Sequence, residues 1–135
     1  MTTSVPTPPV GDDTSTLLII GATGELGAAT LLAARAASLS RPIHATLHAT
    51  PPAPALAAAA SAWHPLDTGD HVALRRLVID VAPAAVLYCA VPGGHGGANS
   101  SGADAAPFRG GVVEDVAAAA EAVAMAGGRF VGVST

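Results

Sequence analysis

The apolar positions of this chain fall into short runs, separated by stretches of helical spacing. Leu17 to Ile20 form the first run, and Gly21 ends it. Four branched apolar residues closed by a glycine predict a strand buried on both faces. Residues 25–37 are rich in helix formers and predict a helix with Leu26, Ala29 and Ala33 on its inner face. Pro42 then precedes a second, weaker strand over 43–47. Residues 50–61, TPPAPALAAAAS, read as a Pro/Ala linker or a loosely held short helix. A third strand is expected over 62–66, although Pro65 counts against a central position for it. Asp70 suits the N-cap of a helix whose apolar face is Leu74, Leu77, Val78 and Val81, with Pro83 beyond its end. Residues 85–90, AVLYCA, predict a strongly buried strand. A glycine-rich loop is expected over 92–107. A helix follows from about 111 to 126, with Val112, Val116, Ala119, Ala120 and Val123 inward and Gly127-Gly128 as its cap. Residues 130–133 read as the last strand.

Strands that alternate with helices, with no two-residue hairpin signal between them, predict an α/β fold: an open, doubly wound parallel sheet with helices on both faces. Residues 1–16 have three prolines and no apolar period, and read as a disordered leader before one domain over 17–135. The run 17–37 is about as long as a membrane span, but Gly21, Gly24, Gly27, Glu25 and Arg35 make it a poor transmembrane helix. No secretory signal is visible. Six basic residues, all arginine, stand against ten acids, giving a formal charge of −4. The chain has no lysine and no basic run, which removes the electrostatic footprint of a nucleic-acid binder. Its single cysteine, Cys89, forms no internal disulfide and matches no zinc spacing, which fits a reducing, cytoplasmic compartment.

The sharpest chemical signal is LLIIGATGELG, with Gly21, Gly24 and Gly27 directly after the first strand and at the start of a helix. In such a loop the first glycine permits a tight turn. The second lets the backbone approach a pyrophosphate, and the third lets the helix pack on the sheet. Free N–H groups at the helix start and the macrodipole then favour an anion, and Thr23 adds a hydroxyl. The spacing differs from GxGxxG, so the general fingerprint applies by analogy. An acid after the second strand would hold a ribose 2′-hydroxyl, and an arginine a 2′-phosphate. HATLHATPP has neither, and its polar candidates are His48 and Thr50. NAD and NADP both remain open, with NADP slightly favoured because the acid is missing. Asp67, after the third strand, either accepts a hydrogen bond from the adenine amine or is an ordinary loop acid near a helix start.

GATGELG, LDTGDHVALRRLVIDVAPAAVLYCAV and AVAMAGGRFVGVST together resemble the extended short-chain dehydrogenase/reductases, over about residues 17–135. Leu66-Asp67, Cys89-Ala90 and Val133-Ser134-Thr135 point within them to the dTDP-4-dehydrorhamnose reductase-like branch, which also includes a regulatory subunit of methionine adenosyltransferase. The resemblance implies a Rossmann-type sheet that stops after about five strands. It implies that Gly21, Ala22, Thr23, Gly24, Glu25, Leu26 and Gly27 hold the pyrophosphate and that Leu66 and Asp67 contact adenine. Cys89, Ala90 and Val91 would line the ribose side. Thr135 would be the catalytic hydroxyl residue, acting beside a tyrosine acid and a lysine. The family's Y-x-x-x-K is absent. Tyr88 lies inside a strand, and the residue four after it is Pro92.

Two functions follow as expectations. One is the NAD(P)-binding part of an oxidoreductase acting on a nucleotide-sugar-type carbonyl, inactive as this fragment. The other is a non-catalytic NAD(P)-binding module that is regulatory or binds a partner subunit, with a homo-oligomer as a further possibility. His64, His71 and His95 have no trustworthy metal spacing, and the loop 93–97 reads as an insertion.

Overall fold

The computed structural model describes residues 15–37, 40–90 and 102–133, with side chains from 113 onward in the last segment. The expected leader up to residue 14, the glycine-rich stretch 91–101 including His95, and residues 134–135 lie outside the described residues. Among the described residues nine elements alternate: β1 (Leu17–Ile20), α1 (Glu25–Ala37), β2 (Ile43–Leu47), α2 (Pro54–Ala57), β3 (Ala62–Pro65), α3 (His71–Val81), β4 (Ala85–Tyr88), α4 (Gly102–Met125) and β5 (Arg129–Gly132). All strand pairs are parallel, in the order β3-β2-β1-β4-β5. β1 is central, so its two faces are both covered and its four residues are all buried.

Alternation along the strands divides the core in two. Leu18, Ile20, Val86 and Tyr88 face α3 and α4, meeting Leu74, Val78, Ala119 and Val123. Leu17, Ile19, Ile43 and Ala45 face α1 and α2, meeting Leu31, Leu56 and Ala59. Pro65 is accommodated because β3 is an edge strand. The segment 50–61 holds the short helix α2, and the Trp63 indole donates back to the Ala57 carbonyl at 3.0 Å. Arg35 ties this region to α1 through bonds to Ala59 O (2.7 Å), Arg41 O (3.2 Å) and Ser61 Oγ (3.2 Å). At the chain's entry, Ser15 and Thr16 are already held, their carbonyls accepting from Arg41 Nε (2.8 Å) and Ala84 N–H (2.9 Å).

Asp70 caps α3 as expected, accepting the Ala73 N–H at 3.1 Å, and Leu74 and Val78 are buried on the predicted face. Ala82 ends the helix in the left-handed region, at φ 48°.

Several expectations need correction. The inner face of α1 is Gly27 and Leu31, with Ala28 and Ala34 partly covered, while Leu26, Ala29 and Ala33 are exposed. The close seating of Gly27 fixes the helix's rotation, and an alanine-rich sequence offers little apolar contrast to signal it. α4 begins at Gly102, so the expected loop ends earlier, because Ala103, Ala105 and Ala106 carry helix propensity upstream of the glycines. Its buried face includes Asp115, Ala118 and Ala122 beside Ala119 and Val123; Ala120 is half-buried and Val112 lies outside the described side chains. β4 closes at Tyr88, and β5 runs one residue earlier than expected, as an edge strand with Val131 half-exposed.

Candidate functional site

The strand order reverses between β1 and β4, the crevice where parallel α/β sheets take ligands beyond their carboxyl ends. The GATGELG loop leaves β1 at that point. Gly21 has φ 83°, and a Cβ there would lie 2.5 Å from the Ala90 Cα, so the loop backbone and the end of β4 touch. At Gly27 a Cβ would fall 2.0 Å from the Gly21 carbonyl oxygen. These two glycines are dictated by the protein's own packing. Gly24 is different: a Cβ there would meet only the Gly21 oxygen, at an ordinary 3.6 Å. Packing does not explain Gly24, and a ligand lying on the backbone would.

The hydrogen bonds of the loop sort its amides. Gly21 N–H donates to Thr46 Oγ1 at 2.9 Å, and Ala22 N–H to the Thr46 carbonyl at 3.1 Å. Gly24 N–H closes a turn onto Gly21 O at 3.4 Å, and the first helical bond runs from Ala28 N–H to Gly24 O at 2.8 Å. The N–H groups of Thr23, Glu25, Leu26 and Gly27 have no acceptor among the described residues. Orphan donors at the start of a helix of 13 residues suit an anion. Ala22 is buried, while Glu25 and Leu26 are exposed on the first turn.

The other expected residues lie at the same edge of the sheet. His48 is exposed just beyond β2. Leu66 follows β3; its N–H donates to Leu47 O at 2.8 Å and its side chain is buried with Leu74 and Val78. Asp67 is exposed, and its Oδ1 accepts the Gly69 N–H at 2.9 Å, so one carboxylate oxygen is already engaged in shaping the turn. Cys89 is bonded through its N–H to Ile20 O at 2.8 Å and packs on the α1 side; burial pushes its thiol up, partly offset by the Thr30 hydroxyl. That is the environment of a packing cysteine and not of a nucleophile. Ala90 abuts Gly21, whereas Val91 and Thr135 lie outside the described residues.

Sequence reasoning missed Thr46 and a second polar cluster. Asp115, buried on α4, takes a 2.8 Å bond with His71 Nε2 and a 3.4 Å bond from Thr68 Oγ1. Next to it the Tyr88 hydroxyl has no hydrogen-bond partner of good geometry among the described residues. Burial pushes this hydroxyl above the usual phenol range; the Thr68 hydroxyl pulls it back in part, and Asp115 pushes it further. The direction is opposite to what a proton-donating tyrosine needs near neutral pH. Among the described residues no three His, Cys, Asp or Glu side chains could hold a metal, and no helix is long and apolar enough to cross a membrane.

A parallel sheet in the order 3-2-1-4-5, with a glycine loop and free amides at its switch point, defines a doubly wound, Rossmann-like α/β domain. A family model described as the NAD dependent epimerase/dehydratase family matches residues 17–135, and the chain belongs to that family. No curated protein matches the sequence at a significant level. Solved structures do match in fold. The Bordetella bronchiseptica enzyme WbmG in complex with NAD aligns over 90% of this chain and 37% of its own, at 18% identity and TM-score 0.69. UDP-glucose 4-epimerase from Thermotoga maritima, with UDP-glucose, aligns over 89% and 38%, at 12% identity and TM-score 0.69. L-threonine 3-dehydrogenase from Trypanosoma brucei aligns over 88% and 36%, at 21% identity and TM-score 0.66. The chain thus spans a little over a third of the length of these structures.

Proposed function

We propose that residues 17–135 form a single domain that binds NAD or NADP through the GATGELG loop, as the cofactor-binding part of an oxidoreductase acting on a nucleotide-sugar-type carbonyl. The observation that carries this reading is Gly24, which no contact among the described residues requires, lying among four amides that have no acceptor there. The pyrophosphate would take the N–H groups of Thr23, Glu25, Leu26 and Gly27. With no lysine in the chain, backbone dipoles supply the attraction. Asp67 keeps one carboxylate oxygen for the adenine amine, and Leu66 forms the floor beside it. Cys89, Ala90 and Val91 line the ribose side. His48 is the polar residue nearest in sequence to the end of β2, and the missing acid there favours NADP, whereas the WbmG complex contains NAD. The dTDP-4-dehydrorhamnose reductase-like branch is the finer assignment, supported by Leu66-Asp67, Cys89-Ala90 and Val133-Ser134-Thr135.

The dinucleotide supplies hydride chemistry when bound, and the protein supplies position and a proton donor. Thr135, which lies outside the described residues, is assigned the hydroxyl that orients the carbonyl. Tyr88, buried and unpartnered, is not assigned the proton. A second reading is a non-catalytic dinucleotide-binding module that pairs with itself or with another subunit in a reducing cytoplasm.

Fluorescence titration of the 135-residue protein with NADH and with NADPH tests the common core of both readings. Saturable binding of at least one is expected, and no binding of either at millimolar concentration overturns it. A carbonyl-reduction assay of the same protein is expected to give no turnover on either reading, and turnover would remove the second.

A further inference from the structure

Thr46 occupies a place where its polarity needs a reason. It lies at the end of β2, its side chain is 2% exposed, and it shares with His44 the strand face that Leu18 and Ile20 present to the α3–α4 core. An aliphatic residue would normally fill such a position. Among the described residues, Thr46 shares the burial of a polar group with few other side chains, Asp115 and Tyr88.

We propose that Thr46 is a positioning residue for the dinucleotide, holding the glycine loop in its binding conformation from the neighbouring strand. This rests on the cofactor reading above. Thr46 grips the loop at two consecutive amides: its hydroxyl accepts from Gly21 N–H at 2.9 Å and its carbonyl from Ala22 N–H at 3.1 Å. The carbonyl bond is open to any residue, but the hydroxyl bond requires threonine or serine. Together the two bonds turn the first two loop amides toward β2. The next peptide, closed by Gly24 N–H on Gly21 O, then sends the chain back so that the amides of Thr23, Glu25, Leu26 and Gly27 are left without acceptors among the described residues. Thr46 thereby divides the loop into amides spent on the protein and amides kept for the ligand. Without the hydroxyl, Gly21 N–H loses its acceptor and the loop is free to leave the competent state. Affinity then falls by the fraction of time spent outside it.

The test compares T46V, which removes the hydroxyl at nearly constant shape, with T46S, which restores it. Affinities for NADH and NADPH are measured well below the unfolding temperature of each variant, along with urea stability and hydrogen exchange at the Gly21 amide. T46V is expected to bind about five- to tenfold more weakly, the effect of losing roughly 1 kcal/mol of loop restraint. Its Gly21 amide should exchange faster than in wild type, while T46S stays within about twofold of wild type in affinity. T46C retains a weak sulfur acceptor; it should fall between them, and it serves if T46V does not fold. Wild-type affinity in T46V, or in T46C where T46V does not fold, overturns the proposal. So does an unchanged Gly21 exchange rate, and so does equal weakening in T46S and T46V. If the wild-type chain binds neither dinucleotide, the cofactor reading fails first. If the wild type binds and T46V binds equally well, only the role of Thr46 fails.

Discussion

Alanine substitutions at two glycines of one loop should separate what the fold requires from what a ligand requires. At Gly27 the added methyl would stand 2.0 Å from the Gly21 carbonyl oxygen, 2.8 Å from its carbon and 2.9 Å from the Ala22 Cα. A Cβ essentially never approaches a non-bonded heavy atom closer than 3.0 Å. The start of α1 must therefore move away from the loop by about 1 Å, against a clash that is entirely with backbone and that no rotamer relieves. Overpacking of this kind costs about 3 kcal/mol, at the upper end of its usual range. A domain of this size has total stability on the order of 5–15 kcal/mol, so Gly27→Ala should lower the midpoint of unfolding by roughly 10 °C. Gly24→Ala adds a methyl whose one neighbour is 3.6 Å away and should change stability by less than about 0.5 kcal/mol. Its effect falls instead on NADH or NADPH affinity, about tenfold or more, because a methyl now separates backbone from pyrophosphate. Urea unfolding followed by the fluorescence of Trp63, the only tryptophan, reads the first quantity, and nucleotide titration reads the second. A Gly27→Ala protein as stable as wild type would refute the packing argument. A Gly24→Ala protein that binds normally would refute the assignment of Gly24 to a ligand.

Ala82 holds a left-handed conformation, φ 48° and ψ 55°, at the end of α3, so Ala82→Gly should raise stability by about 0.5–1 kcal/mol in urea titration; a loss would show that the strain estimate is wrong. Tyr88→Phe removes a buried hydroxyl without a partner and should leave stability unchanged or raise it by up to about 1 kcal/mol; a loss of more than that would reveal a bond to Thr68 or to a bridging water. His64 forms a 2.8 Å ring–ring hydrogen bond with His44, and burial first, then the neighbouring His44, lowers its proton affinity below the ordinary value of 6.5. The unfolded chain then binds the proton more readily. Stability is complete above about pH 6.5 and falls as the pH drops through the lowered folded value. Melting temperatures between pH 7.5 and 5.5 should show that slope, and His64→Gln should flatten it; an equally steep profile in the variant would assign the effect to other groups.

The elements of this fold were largely legible because its strands are short apolar runs and its punctuation is strong. Gly21 closes β1, Asp70 caps α3, and Gly127, at φ 80°, closes α4. α1 was harder. Leu26, Ala29 and Ala33 have helical spacing, but in a helix built largely from alanine several faces are equally apolar, and the contact of Gly27 with Gly21 decides which one turns inward. The start of α4 was hidden by glycines within the helix. At the site, the glycine spacing was readable, and the resemblance drew attention to Leu66-Asp67 and Cys89-Ala90, which the structure places beyond the ends of β3 and β4. Thr46 was not, because its importance depends on the register of β2 beside β1, which places residue 46 next to a loop that begins at residue 21. The same holds for Asp115 and His71: the expected inner face of α4 did not include residue 115, and no spacing signals that a histidine from α3 meets it there.

The contact between Gly21 and Ala90 also bears on the order of assembly. β1 pairs with β2 on one side and with β4, from the far half of the chain, on the other. The local unit β1-α1-β2 contains every residue of the glycine loop together with Thr46, yet it lacks the wall of β4 backbone against which Gly21 turns. Loop closure over that sequence distance is the slow kind of step in a parallel sheet. The glycine loop therefore takes its final shape only when β4 docks, and on the proposed function a bound dinucleotide would stabilise the late, long-range half of folding.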